Sequence, residues 1–341
     1  MRCLSHWGLE GARVEPVGRG LINTTFAVTD ADGRTTILQR VNRIFDPAIH
    51  YNILAVTQQL ERAGVSTARL LPTRDGAPWV EVDGEVWRMQ TAIAGVSFDA
   101  LEDPAQARAA GEFVGRWHAA LAELEHEFVA VRAGVHDTPR HLATLRRALA
   151  ERRGHRLYDE AAPLGEALLD AAESMSPLPP CPARVAHGDL KINNLMFAGT
   201  DASGRVSPRA LIDLDTVAPM PLAHELGDAW RSWCNRAGEN EPEARFDLEF
   251  FAASLAGWLQ GFGEQPSATE REALLLGPEW ISLELSCRFA ADALDEAYFG
   301  WDPSRFGGRG EHNLVRARGQ WSLHRAIVGT RSERSRLLST K

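Results

Sequence analysis

Lysine is almost missing from this 341-residue chain: Lys191 and the C-terminal Lys341 are the only two among 37 Lys and Arg side chains. Against 46 Asp and Glu the formal net charge is -9. That balance lacks the positive surplus with which a general nucleic-acid binder displaces counterions from phosphates, so no nucleic-acid partner is expected. Cysteine is also scarce. Cys3, Cys181, Cys234 and Cys287 are far apart and show no CxxC spacing, which excludes a zinc ribbon or a disulfide framework and leaves reduced thiols. No apolar run approaches the roughly 20 residues of a membrane span, and "MRCLSHWGLEGARVEP" lacks a basic-then-apolar signal pattern. The expectation is a cytoplasmic protein with no membrane partner. There is no internal repeat and no low-complexity tract.

What is present is ordinary globular material, 44% hydrophobic and 24% charged, enough for one large two-lobed domain or two modest ones. Its texture changes along the chain. From Val14 to about Thr91, short β-branched runs ("TTFAVTD", "TTILQRVN", "PWVEVDG", "EVWRMQTAI") alternate with turn signals such as Asp75-Gly76 and Asp83-Gly84. Between them, Ile49, Ile53, Val56, Thr57 and Leu60 fall at helical spacing and the pattern stops at Gly64. This predicts a small antiparallel sheet carrying one helix, with Trp87 and Met89 in its core. Beyond "AIAGVSFDA" the pattern is helical, beginning with an apolar stripe of Ala110, Phe113, Val114, Trp117, Leu121 and Leu124. Further helices are predicted in "LYDEAAPLGEALLDAAESM", "EWISLELSCRFAADALDEAYF" and "NLVRARGQWSLHRAIVG".

One hairpin interrupts the helices. "NLMFAG" and "RALIDLD" are apolar runs joined by a polar loop, so Asn194 at the start of one strand should lie beside Asp213 at the end of the other. Asp189, five residues before Asn194, can face the same cleft. A carboxylate base with an amide oxygen and a second carboxylate around one space is what Mg2+-assisted phosphoryl transfer requires.

The residues His187 to Asn194, "HGDLKINN", resemble the catalytic loop of the kinase superfamily, and Asp213 of "IDLDT" stands in the place of the aspartate of D-F-G. The HGD form followed by ID is similar to the aminoglycoside phosphotransferase and choline kinase branch. The resemblance implies an α+β, two-lobed protein-kinase-like fold. Residues 1–92 would be a nucleotide-binding lobe with a small antiparallel sheet and one helix; a hinge would lie at about 90–95; residues 93–341 would form a larger, mainly helical lobe with the catalytic loop and acceptor site. It implies ATP and Mg2+ as cofactors. Asp189 would be the base, Lys191 a compact charge on the transferred phosphoryl group, and Asn194 and Asp213 the metal ligands. Asp215 is read either as a further metal ligand or as the end of the strand. Lys191 has the alternative of a solvated surface lysine, and His187 is read as structural, bracing the loop through a backbone hydrogen bond.

For the nucleotide, the resemblance implies phosphate contact by backbone amides near Gly18 and Gly20, a charge from Arg40 of "ILQRVN", and an adenine hinge at Gln90, Thr91, Ala92 and Ile93. The helix that should supply an acid to Arg40 has none at the matching turn. Either Asn52 or Gln58 substitutes, or the pair is absent.

A wider series, "GLINTTFAV", "ILQRVN", "HDTPRHL", "HGDLKINNLMF", "IDLDTVAP", "ELGDAWR", "LELSCRFAADALDEAYF" and "HNLVRARGQ", resembles bacterial N-acetylhexosamine 1-kinases in order. That implies a small-molecule partner, an amino sugar phosphorylated on its anomeric hydroxyl. Asn23, Asp189, Asp228, Arg288, Asp292, Tyr298 and Arg316 become substrate-binding candidates. Arg288 and Asp292 stand at i,i+4 and equally suit a helix ion pair, and Tyr298 equally suits packing. The pattern departs from that family at Leu21 and Thr24, where "GHIND" is usual, and at His224 and Glu225, where "YDFGD" is usual. Other acceptors (choline or another amino alcohol, homoserine, an aminoglycoside) and a non-catalytic nucleotide-binding regulator are the alternatives.

Overall fold

Strand alternation builds the N-terminal part of the computed structural model, which describes residues 1–17, 22–132, 134–199 and 206–339. After a 3-10 turn at Arg2–Trp7 come β1 (Arg13–Pro16), β2 (Thr24–Thr29), β3 (Thr35–Val41), α1 (Ile49–Arg62), β4 (Leu70–Leu71), β5 (Val80–Val82) and β6 (Glu85–Thr91). They form one antiparallel sheet in the order β1-β2-β3-β6-β4, with β5 on the free stretch of β6. Leu38 and Met89 pair directly and are buried with Cys3, Leu4 and Val28 on one face. The opposite face therefore receives Gln39, Arg88 and Gln90. The α1 stripe Ile49, Ile53, Val56, Thr57 and Leu60 is buried throughout, each large aliphatic contributing about 1.5–3 kcal/mol on burial. Gly64 then takes φ +69°, a left-handed value that ends the helix.

The remainder comprises β7 (Val96–Ser97), α2 (Pro104–Ala120), α3 (Thr138–Glu151), α4 (Tyr158–Ser174), β8 (Ala183–Ala186), β9 (Leu195–Phe197), β10 (Pro208–Leu211), β11 (Ala218–Pro221), α5 (Leu222–Trp233), α6 (Leu248–Phe262), α7 (Ala268–Asp295), α8 (Arg309–Gly329) and α9 (Arg331–Ser339). Two small sheets, β10-β9-β7 and β11-β8, hold the loops between them. The apolar stripe of α2 packs on α6 at unusually short range. A Cβ on Gly111 would lie 2.0 Å from Ser254 O, and one on Gly257 2.0 Å from Arg108 O, so glycine on both helices permits the approach.

Two elements differ from the sequence expectation. α7 begins at a Ser267/Glu270 capping box and runs through Pro278. It stops at Asp295 instead of Phe299, because the Asp292 carboxylate collects the amides of Ala297, Tyr298 and Phe299 and turns the chain. α3, capped by Asp137 with proline in its first turn, had no pattern strong enough to announce it. Among the described residues no helix is long and apolar enough to cross a membrane.

Candidate active site

Asn194 and Asp213 come together for the reason hairpins require. β9 and β10 pair with Leu195 opposite Leu211, and Ile212 N donates to Asn194 O at 3.0 Å. Asp213 follows in the left-handed region, φ 64° and ψ 57°, a conformation that costs a non-glycine residue energy and persists only where its flanks impose it. Asp189 completes the cluster: Lys191 Nζ donates to its Oδ2, and Asn194 Nδ2 donates to its backbone O at 2.8 Å and to Oδ2 at 3.1 Å. The amide nitrogen of Asn194 is thus spent on Asp189, which turns its oxygen away.

Charge is crowded here. Burial, with repulsion from Asp215 and Asp189, pushes the Asp213 carboxyl up to about 6, although Lys191 and Arg88 work against the rise. Burial also pushes on Asp189, yet the Lys191 ammonium, with His187 and Asn194, holds its carboxyl below the usual range. Lys191 itself loses hydration, but Asp189 and Asp213 more than offset this and raise its affinity for the proton. The lysine is accordingly charged and half-buried between two carboxylates.

The loop is braced from α5. Glu225, 1% exposed, accepts from His187 N at 2.8 Å, from Gly188 N at 2.9 Å and from His118 Nε2 at 3.3 Å. Trp258 Nε1 donates to His118 Nδ1 at 3.1 Å; an indole only donates, so His118 is the neutral tautomer with its proton on Nε2. His187 Nε2 donates to Ile212 O at 2.8 Å, and Thr216 Oγ1 donates to His187 O at 2.9 Å. Gly188 has φ +80°, and a Cβ there would meet Thr216 O at 2.5 Å. Glu225 was a departure in the expected acceptor region; it faces the His187–Asn194 loop instead.

The nucleotide candidates divide. Gly18 and Gly20 lie outside the described residues. Arg40 is exposed and donates to Thr24 Oγ1 at 3.1 Å. It pairs with Trp87 in the sheet, on the face away from Gln39, so the structure does not bring it to the cluster. Asn52 cannot serve it either: its amide is engaged with Val129 N and O and with His126, and Gln58 is exposed. The cation that does reach the cluster is Arg88, fully buried, donating from Nε to Gln39 Oε1 at 2.8 Å and from Nη1 to Asp215 Oδ1. Asp215 Oδ2 receives Asn23 Nδ2 at 2.6 Å, so both its oxygens are occupied from the sheet side. Alternation could have found Arg88, since Trp87 and Met89 in the core put it on the opposite face. At the hinge, Gln90 is buried in β6, and Thr91 exchanges bonds with Arg69 at 2.9 and 3.0 Å. Ala92 and Ile93 follow the end of the strand, the first exposed and the second half-buried.

Of the acceptor candidates, Asn23 belongs to that Asp215 contact. Asp228 Oδ1 takes Arg231 Nε and Nη2 at 2.9 and 2.7 Å, while its buried Oδ2 has no hydrogen-bond partner among the described residues. Arg231 reaches Glu239 at 3.3 Å, and Glu239 lies 3.8 Å from Arg316, which links Asp228 to Arg316 across three elements. Asp292 is consumed by the amides of 297–299 and by Asn313 Nδ2, so the i,i+4 pair with Arg288 does not form. Arg288 lies over the Phe299 ring at 5.4 Å. Tyr298, 45% exposed, accepts from Arg132 Nη2 at 2.6 Å. Arg132 also lines a cavity of about 220 Å³ bounded by α1, residues 130–132 and 134–137, segment 215–220 and His224. Burial and the neighbouring His136 lower His224 to about 4, so it presents a neutral ring.

The sequence profile of the phosphotransferase enzyme family matches residues 13–262. Among solved structures, the chain is similar to a microcompartment-associated aminopropanol kinase, with TM-score 0.64 and 16% identity over 97% of each chain. It is similar to the amicoumacin kinase hAmiN in complex with AMP-PNP, Ca2+ and Ami, with TM-score 0.60 and 13% identity over 95% of this chain and 91% of that one. It is also similar to a spectinomycin phosphotransferase, APH(9)-Ia, in complex with ADP and spectinomycin, with TM-score 0.60 and 11% identity over 96% of each. At these identities the likeness is one of fold, the two-lobed protein-kinase-like arrangement of antiparallel sheet and helical lobe.

Proposed function

Because the chain belongs to the phosphotransferase enzyme family, we propose that it transfers the γ-phosphoryl group of ATP, with Mg2+, to the anomeric hydroxyl of a neutral amino sugar, an N-acetylhexosamine. The observation that carries the phosphotransfer reading is the convergence of Asp189, Lys191, Asn194 and Asp213 in one crevice. ATP would lie between the sheet and the helical lobe, the lobes meeting at residues 90–95, with adenine against the main chain near Ala92 and Ile93.

A divalent cation fits the donor set. Burial, with the two neighbouring carboxylates, pushes Asp213 to about 6, and among the described residues no group of three or more His, Cys, Asp or Glu is placed to hold a metal alone. A hard ion that keeps waters and takes phosphate oxygens suits two protein ligands, the Asp213 carboxylate and the outward oxygen of Asn194. When bound, it supplies neutralisation of charge on the phosphate oxygens. Asp189 stays ionised beside Lys191, too weak a base to ionise an alcohol beforehand at an ordinary pKa of about 3.9. Its part is to orient the acceptor hydroxyl and accept the proton as the loose transition state develops. Lys191 offers an ammonium to the same region.

What supports a neutral acceptor is the state of the surrounding charges. Asp228 and Glu239 are matched by Arg231, Glu284 by His136 and Thr138, and Asp292 by amides, while Arg132 and neutral His224 face the cavity. A cationic acceptor would need unmatched carboxylate. The spare Oδ2 of Asp228 suits a hydroxyl. An amino alcohol is the second reading, favoured by the likeness to the aminopropanol kinase.

The test is incubation with ATP, Mg2+ and an acceptor panel of N-acetylhexosamines, choline, amino alcohols, homoserine and aminoglycosides, with the product identified by mass and phosphorus NMR. An anomeric phosphate is expected. Phosphorylation of an amine-bearing acceptor alone overturns the sugar assignment, and ATP left intact with every acceptor overturns the kinase reading. Asp189→Asn should retain ADP affinity and lose most turnover; unchanged turnover rejects it as the base.

A further inference from the structure

Asp215 sits two residues beyond Asp213, on the helical side of the cleft, yet both of its oxygens are held by side chains of the sheet lobe. Arg88 is 0% exposed and Asp215 4%. Arg88 is fixed in turn: it stands opposite Gln39 in the β3–β6 register and donates to that side chain, while Trp87 and Met89 on either side are rooted in the core. Asn23 is fixed as well, its Oδ1 accepting Asn42 N at 2.9 Å. A buried ion pair is a poor source of stability, because desolvation offsets its attraction; what it supplies is a defined geometry.

That geometry acts on Asp213. Its left-handed backbone is imposed from one side by the Ile212–Asn194 and His187–Ile212 bonds. From the other side the 3-10 turn Leu214–Thr216 imposes it, and Asp215 is the anchor of that turn. We infer that Arg88 is a positioning residue for phosphotransfer: clasping Asp215 from β6, it sets the turn that presents Asp213 and couples the sheet to the catalytic loop. Arg88 Nη2 has no hydrogen-bond partner among the described residues, and the role inferred here acts through Asp215 and not through a contact of Arg88 with the reacting groups. The inference rests on the phosphotransfer reading, and it gives Asp215 the role of an anchor in place of a metal ligand.

The test compares wild type, Arg88→Lys and the paired variant Arg88→Met with Asp215→Leu, which removes both buried charges together. The readouts are melting temperature, kcat, KM for ATP, and calorimetric ADP affinity with and without Mg2+. In the paired variant we expect a melting temperature close to wild type and a fall in kcat of about 100-fold, the scale set by a misplacement of about 1 Å. Metal-free ADP affinity should hold while the gain in ADP affinity on adding Mg2+ is lost. Lysine supplies the charge without the fork, so Arg88→Lys should fall between, at about tenfold lower kcat. A paired variant with wild-type kcat and Mg2+-dependent gain overturns the inference. If the paired variant does not fold, Arg88→Lys decides: wild-type values for both quantities overturn it. Failure of the wild type to consume ATP or bind Mg-ADP would sink the phosphotransfer reading itself, a distinguishable result.

Discussion

Replacing Glu225 measures how much the His187–Asn194 loop, the proposed catalytic loop, depends on the helix beneath it. Its carboxylate collects three donors, the amides of His187 and Gly188 and the Nε2 proton of His118, in a place with no solvent to substitute. Glu225→Ala leaves all three without an acceptor. At about 1–3 kcal/mol for each buried unmade bond, with partial relaxation, the loss is roughly 3–6 kcal/mol. Against total stabilities of about 5–15 kcal/mol, that variant stands near the limit of folding. Glu225→Gln keeps the shape and one accepting oxygen but turns an NH2 group toward a donor, and should lose about 1–3 kcal/mol. Urea unfolding followed by the fluorescence of the ten tryptophans reads the stability, and ATP consumption reads the loop. The Gln variant should lose turnover by about 10- to 100-fold while remaining folded, since a small shift of His187 and Gly188 moves Asp189. Glu225→Gln with wild-type stability and wild-type turnover would refute the reasoning.

Lys191→Met should lower kcat by about 100-fold with KM for ATP changed only a few-fold, because the ammonium acts where charge develops and not where adenine is held; wild-type kcat in steady-state assays excludes that role. For pH, His50 and His224 are both lowered to about 4, in each case chiefly by burial, with Arg88 adding to the effect at His50 and His136 at His224. A histidine depressed in the folded state stays neutral there while the unfolded chain takes up its proton below about 6.5, so stability is full above that pH and falls as pH drops toward 4. Each contributes at most about 1.4 kcal/mol per pH unit inside the window. Asp213, raised to about 6, acts with the opposite sign, since the folded state takes up its proton in this range before the unfolded chain does. The two histidines outweigh the one carboxyl, so urea unfolding should show a net loss between pH 7 and pH 5, and equal stability at the two values would contradict the buried neutral rings.

Local grammar made the meeting of residues 187–194 with Asp213 readable. "HGDLKINN" and "IDLDT" are short, ordered motifs, and the hairpin that unites them follows from two apolar runs and a polar loop. The sheet lobe and α1 were legible for the same reason, since periods of 2 and 3.6 show in short windows. α7 was legible only in part. A capping box upstream of Pro278 is an equally local signal, but an interior proline reads as a stop unless neighbouring helices compensate for it. The early end of α7 depends on Asp292 reaching amides five to seven residues ahead, a choice made by the fold.

Partners distant in sequence stayed hidden. Arg88 and Asp215 are separated by 127 positions and Glu225 and His118 by 107, so no window holds both members of either pair. Arg40 shows the opposite case, a position taken from resemblance while the strand's own alternation points to the other face. If Leu38 is core, Arg40 shares its face, and the cleft side of β3 belongs to Gln39. The same rule places Arg88 in the cleft from Trp87 and Met89 alone. A position inherited from a family is therefore weaker evidence than the period of the strand that carries it, because a charge can move to a neighbouring strand while the face that needs it stays the same. The lone internal lysine is consistent with this. Lys191 donates to the Asp189 Oδ2 that Asn194 also reaches, and Asp213 adds a second attraction for its charge. A point charge fits among single acceptors in different directions, where a planar fork would demand two side by side.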